Sequence, residues 1–118
     1  MRFSHSLKEN HLFRRLYRRG DSLANAYFAL YVRKNGSAEN RMGITVSGKM
    51  GCAVRRNKVR RRIREIYRLN EERFAPGWDI VVVARTRAVD ADFGKLSGAY
   101  LSLAQKSGLL LPVTEVTP

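Results

Sequence analysis

Nine of the 23 lysines and arginines fall between residues 49 and 68: Lys49, Arg55, Arg56, Lys58, Arg60, Arg61, Arg62, Arg64 and Arg68, against the single acid Glu65. The chemistry open to such a run is phosphate binding, because each guanidinium presents a rigid fork of donors and a polyanionic backbone offers acceptors at regular spacing. Asn57 sits inside the run and adds one neutral donor and acceptor. A second group, Phe13, Tyr17 and Tyr31, offers aromatic faces near cations, the combination that holds single-stranded nucleic acid by stacking. Taken singly, each of these three aromatics fits a packed core as well as it fits a groove.

Candidates for protein-based catalysis are sparse. Asp79, Asp90 and Asp92 lack the paired spacing of a two-metal site and read as turn and capping residues. Cys52 with His5 and His11 does not make a convincing zinc set, and no Cys/His nucleophile arrangement is evident. Cys52 reads as a small residue near a helix start.

These side chains must be positioned by elements that the periodicity predicts. Leu12, Phe13, Leu16 and Tyr17 before Gly20 predict a short amphipathic helix over 10–19 with a glycine stop, its arginines forming one wall of a basic groove. Residues 26–33 alternate as a strand, with Phe28, Leu30 and Val32 on one face and Tyr27, Ala29, Tyr31 and Arg33 on the other. Asn35-Gly36 marks a turn, and 41–46 returns with Met42, Ile44 and Val46 alternating, so the two strands read as an antiparallel hairpin. A long helix over 52–70 follows, about 27 Å from end to end. Cys52, Val59, Ile63, Ile66 and Tyr67 make its apolar arc. Opposite lies a solvent stripe of Asn57, Arg60, Arg61, Arg64 and Arg68, with Arg55, Lys58 and Arg62 on the second flank. Like charges at i and i+4 repel, so the partner that stabilises this stripe is external. After Ala75-Pro76-Gly77, the run Ile80-Val81-Val82-Val83-Ala84 marks an interior strand over 78–85. A last helix over 92–106, capped by Asp90 or Asp92, carries Phe93, Leu96, Tyr100, Leu103 and Ala104 and is assigned to packing. A loose tail follows residue 111.

This order of helices and strands predicts an α+β fold, an α/β sandwich around a small mixed sheet, in a single domain over 1–118. At 118 residues, 44% hydrophobic and 28% charged, the chain is long and apolar enough to close a core but too short for a two-domain enzyme. Its formal net charge of +13 attracts RNA, DNA or an anionic membrane alike. No apolar run suggests a span, and one cysteine suits a reducing compartment, so a cytoplasmic protein without membrane attachment is expected.

The residues from Gly48 to Arg64, with the Arg56-Asn57 pair at their centre, resemble the signature of the bacterial ribonuclease P protein family. The flanking Phe13, Tyr17, Gly20, Asn25, Phe28 and Tyr31, and the late Ile80 to Arg85 strand, extend the resemblance over nearly the whole chain. Gly48, where a second lysine often precedes Lys49, and Lys58, where arginine is common, depart from the usual pattern. The resemblance implies a protein subunit, monomeric outside its complex, that assists a catalytic RNA in cutting the 5′ leader from precursor tRNA. Catalysis then belongs to the RNA, with Mg2+ held mainly there and no organic cofactor. Lys49, Arg56, Asn57, Lys58, Arg60, Arg61, Arg64 and Arg68 are implied to face the catalytic RNA, and Phe13, Tyr17 and Tyr31 the leader. For adjacent parallel second and third strands the general rule predicts a right-handed crossover through the long helix; the family implies a left-handed one, which is adopted. A general, ribosome-like RNA binder and a DNA-binding module are the competing classes.

Overall fold

The computed structural model describes residues 4–6 and 10–111. Its elements are β1 (Ser4–Ser6), α1 (Asn10–Arg19), β2 (Asp21–Ala24), β3 (Phe28–Lys34), β4 (Asn40–Val46), α2 (Ala53–Asn70), β5 (Trp78–Ala84) and α3 (Phe93–Lys106). The expected helices and the three expected strands are present. The tail expected after residue 111 lies outside the described residues.

The strands form one five-stranded mixed sheet in the order β1-β4-β5-β3-β2. The hairpin expected between β3 and β4 does not form. β5 inserts between them, antiparallel to β3 and parallel to β4. Ile80, Val81 and Val82 are each 0% exposed, and only a central position covers both faces of so apolar a strand. The turn is correspondingly wide. Asn35 organises it, its side-chain oxygen accepting from the Ser37 amide (2.8 Å) and its amide group donating to the Glu39 carbonyl (3.0 Å). β1 and β2 were not foreseen; they are short edge strands, and Asp21–Ala24 is exposed along its length. They carry little apolar alternation to read.

The alternation of β3 and β5 sends their side chains to two unequal layers. On one face Phe28, Leu30, Val32, Ile80 and Val82 pack with Val59, Ile63, Ile66 and Tyr67 of α2 and Leu96, Tyr100 and Leu103 of α3. On the other, Leu16 of α1 seats against Val81, with Tyr31 and Val83 beside it. Gly20 ends α1 through proximity rather than a left-handed turn: a Cβ there would stand 2.7 Å from the Leu16 carbonyl oxygen and 2.9 Å from that of Val32. The missing side chain lets α1 lie close to β3.

The three scattered aspartates find structural work. Asp92 is the N-cap of α3, accepting from the Lys95 amide at 2.8 Å. Asp79, 7% exposed, takes two 2.7 Å bonds from the Arg41 guanidinium on the neighbouring strand and one of 3.1 Å from Asn35. Asp90 is exposed in the segment between β5 and α3. Asn25 accepts from the Tyr27 and Phe28 amides and donates to the Ala99 carbonyl, tying the entry of β3 to α3.

Candidate nucleic-acid interface

β4 ends at Val46 and hands the chain to a tight turn. The Ser47 hydroxyl accepts from the Lys49 amide (3.2 Å) and Met50 is buried beneath, which leaves Lys49 exposed. Gly51 holds φ 116°, a conformation that L side chains rarely adopt, and Cys52 then becomes the N-cap of α2. Cys52 is exposed and makes no side-chain cap bond. It therefore leaves the apolar arc in which the helical wheel placed it, because the arc begins only where α2 first meets the sheet.

From Val59 onward the buried seam of α2 is Val59, Ile63, Ile66 and Tyr67. That seam turns Arg55, Asn57, Lys58, Arg61, Arg64 and Arg68 to solvent and leaves Arg56, Arg60 and Arg62 half-buried. Arg60 thus lies nearer the seam than the wheel placed it, and donates to the Asn57 side-chain oxygen at 3.1 Å. Arg62 donates to the Ala91 carbonyl (2.8 Å) and fastens α2 to the loop before α3. Arg68 is held by Glu65, its Nε donating at 2.9 Å. Nε of Arg56 is shielded from solvent with no hydrogen-bond partner. Lys49, Arg55, Lys58, Arg61 and Arg64 have no side-chain partner among the described residues, so their charge is available to a ligand.

On the sheet face under α1, Tyr31 and Tyr17 meet edge to face, ring centres 4.9 Å apart at 85°. The Tyr17 hydroxyl reaches across to that of Thr45 on β4, at 3.3 Å. Ala29, Val83 and Thr45 stand side by side on three neighbouring strands, one row from Tyr31, Val81 and Gly43. Val81 and Gly43 are buried under α1, whereas Ala29, Val83 and Thr45 are half-buried and floor a shallow cleft beside that helix, whose Arg14, Arg15 and Arg18 are exposed. Tyr17 keeps 43% of its surface accessible. Phe13 stands one turn earlier in α1, and its side chain lies outside the described residues. Thr45 was not singled out from sequence, although the alternation of 41–46 puts it on the same face as Tyr31.

The two features share one end of the sheet. Thr45 is two residues before Ser47, where the turn carrying Lys49 begins, and α2 starts a few residues later. The strand that carries Thr45 thus leads within a few residues into the basic turn and α2, which pack on the opposite face of the sheet from α1. The described residues contain no group of three or more His, Cys, Asp or Glu side chains placed to hold a metal ion, and no helix long and apolar enough to cross a membrane.

Comparison with known proteins agrees with this arrangement. The ribonuclease P family model matches residues 1–108. The ribonuclease P protein component of Natranaerobius thermophilus is 42% identical over 105 residues, covering 89% of this chain and 91% of that protein. That of Clostridioides difficile is 43% identical over 104 residues, with 87% and 91% covered. The RNase P protein of Staphylococcus aureus has a similar structure, with a TM-score of 0.84 and 32% identity over 91% of this chain and 98% of that one. For the RNase P protein of Thermotoga maritima the TM-score is 0.80 and the identity 37%, over 86% of this chain and 96% of that one. With the basic turn and helix, the α1 cleft and the sheet all inside the matched span, the chain belongs to the ribonuclease P protein family.

Proposed function

We propose that this chain is the protein component of ribonuclease P and acts on precursor tRNA, binding the catalytic RNA through one surface and the 5′ leader through another to promote endonucleolytic 5′ maturation. The observation that carries the proposal is a basic turn and α2 face on which Lys49, Arg55, Lys58, Arg61 and Arg64 have no side-chain partner among the described residues, together with the accessible Tyr17 packed on Tyr31 over the sheet. Lys49, Arg56, Asn57, Lys58, Arg60, Arg61, Arg64 and Arg68 take the catalytic RNA. Tyr17 and Tyr31, with Phe13, take the leader by stacking. Magnesium, held by RNA phosphates, supplies water activation and stabilises the oxygens of the scissile phosphate. The protein contributes binding and placement.

The test is cleavage of precursor tRNAs of graded leader length by the protein alone, the RNA alone and both together. The proposal expects cleavage to need the RNA and the protein to favour leader-bearing over mature tRNA. Replacing Tyr31 by Ala reduces that preference by about 1 kcal/mol, roughly fivefold, the lower end of what one stacked base contributes. RNA binding with no leader preference would favour a general RNA-binding protein, and cleavage by RNA-free protein would overturn the mechanism.

A further inference from the structure

The RNA-facing side of α2 is not uniformly charged. Val54 is 77% exposed, the most exposed of the large hydrophobic side chains described. It lies nine residues before Ile63, which at 100° per residue puts it about 180° from the centre of the buried seam. It points straight outward. Its neighbours on that side are Asn57, Lys58 and Arg61, three, four and seven residues on, all exposed. Gly51, Cys52 and Ala53 before it are exposed and small. Residues 50–54 are thus an uncharged step between Lys49 and Arg55, with one branched aliphatic group at its crest.

Building on the RNA-facing role of α2, we infer that Val54 is an apolar contact to the catalytic RNA, packing against ribose and base surface while Lys58 and Arg61 reach phosphates to either side. Charge complementarity selects the occupant, since the cations flanking Val54 have no partners of their own and RNA presents phosphates next to apolar sugar and base surface. The wide, shallow minor groove of an RNA helix displays that surface to a convex element, and the small residues before Val54 let it approach closely. This contact confers affinity that added salt does not weaken, unlike the arginine contacts around it.

The experiment measures binding of the full chain to its cognate ribonuclease P RNA, transcribed in vitro, across a salt series for wild type, Val54→Ala and Arg61→Ala. Val54→Ala removes no buried contact and improves helix propensity, so its melting temperature holds or rises. Its affinity falls about three- to tenfold, the effect of losing two partly buried carbon groups, with the slope of log K against log salt unchanged. Arg61→Ala instead flattens that slope by about 0.7 to 0.9. Wild-type affinity in Val54→Ala, with Arg61→Ala weakened as described, overturns the inference and leaves the RNA-facing role of α2 standing. A flattened slope in Val54→Ala also overturns it, because loss of ion contacts would then explain the effect. Wild-type behaviour in both variants overturns the RNA-facing role itself.

Discussion

Arg64 and Arg68 lie one helical turn apart on the exposed side of α2, and their surroundings separate them. Arg64 has no partner among the described residues, whereas Arg68 donates to Glu65 through Nε at 2.9 Å and through a second nitrogen. The same bonds hold the Glu65 carboxyl below its ordinary value. If α2 faces RNA, Arg64→Ala removes a whole phosphate neutralisation and flattens log K against log salt by about 0.7 to 0.9. Between 50 and 200 mM salt, one such contact changes affinity by about threefold. Arg68→Ala removes a cation already half-neutralised, so its slope change is smaller, about half that of Arg64→Ala. Glu65→Gln has the opposite sign: it releases Arg68, steepens the slope and tightens binding at low salt. Titrating RNA into each variant at four or five salt concentrations decides the matter. Equal slopes for Arg64→Ala and Arg68→Ala, or weaker low-salt binding by Glu65→Gln, would refute the argument that internal pairing determines which arginines are available.

Two further outcomes concern stability. Asp79→Asn leaves the Arg41 guanidinium, 36% exposed, without its buried counter-ion, and destabilises by about 2 kcal/mol, moving the melting temperature by roughly 8 °C; a shift under 2 °C in differential scanning calorimetry would show the pair to be dispensable. Tyr100 is buried and donates to the Met42 sulfur at 3.2 Å, and burial, with a smaller contribution from nearby Tyr67, raises its pKa well above the ordinary 10.0. The folded protein then keeps the phenol proton where the unfolded chain loses it, so this contribution to stability is intact below pH 10 and declines as the pH rises past it. Denaturant melts between pH 8 and pH 11 check this, with Tyr100→Phe expected to lessen the alkaline loss of stability.

Much of the candidate interface was legible because helical periodicity is local. Once Val59, Ile63, Ile66 and Tyr67 are recognised as a seam, the direction of Arg61, Arg64 and Arg68 follows from 100° steps along one rigid element. The inferences that failed depended on neighbours. Arg60 is half-buried, which a wheel drawn for an isolated helix does not show. Gly20 does follow the last residue of α1, as a helix stop should, but what demands glycine there was invisible: the carbonyls of Leu16 and Val32, the latter on a separate strand.

By itself the sequence determined the kinds of element, their facing and the chemistry they carry: a basic ridge, an interior apolar strand, aromatics on the polar side of β3. Those properties come from repeats of 2 and 3.6 residues, which act within one segment. Only the tertiary structure decided that β5 separates β3 from β4, that Thr45 meets Tyr17, and that α1 and α2 cover opposite faces of the sheet. Strand order is a choice among distant segments, settled when the most apolar strand takes the position where both its faces are covered.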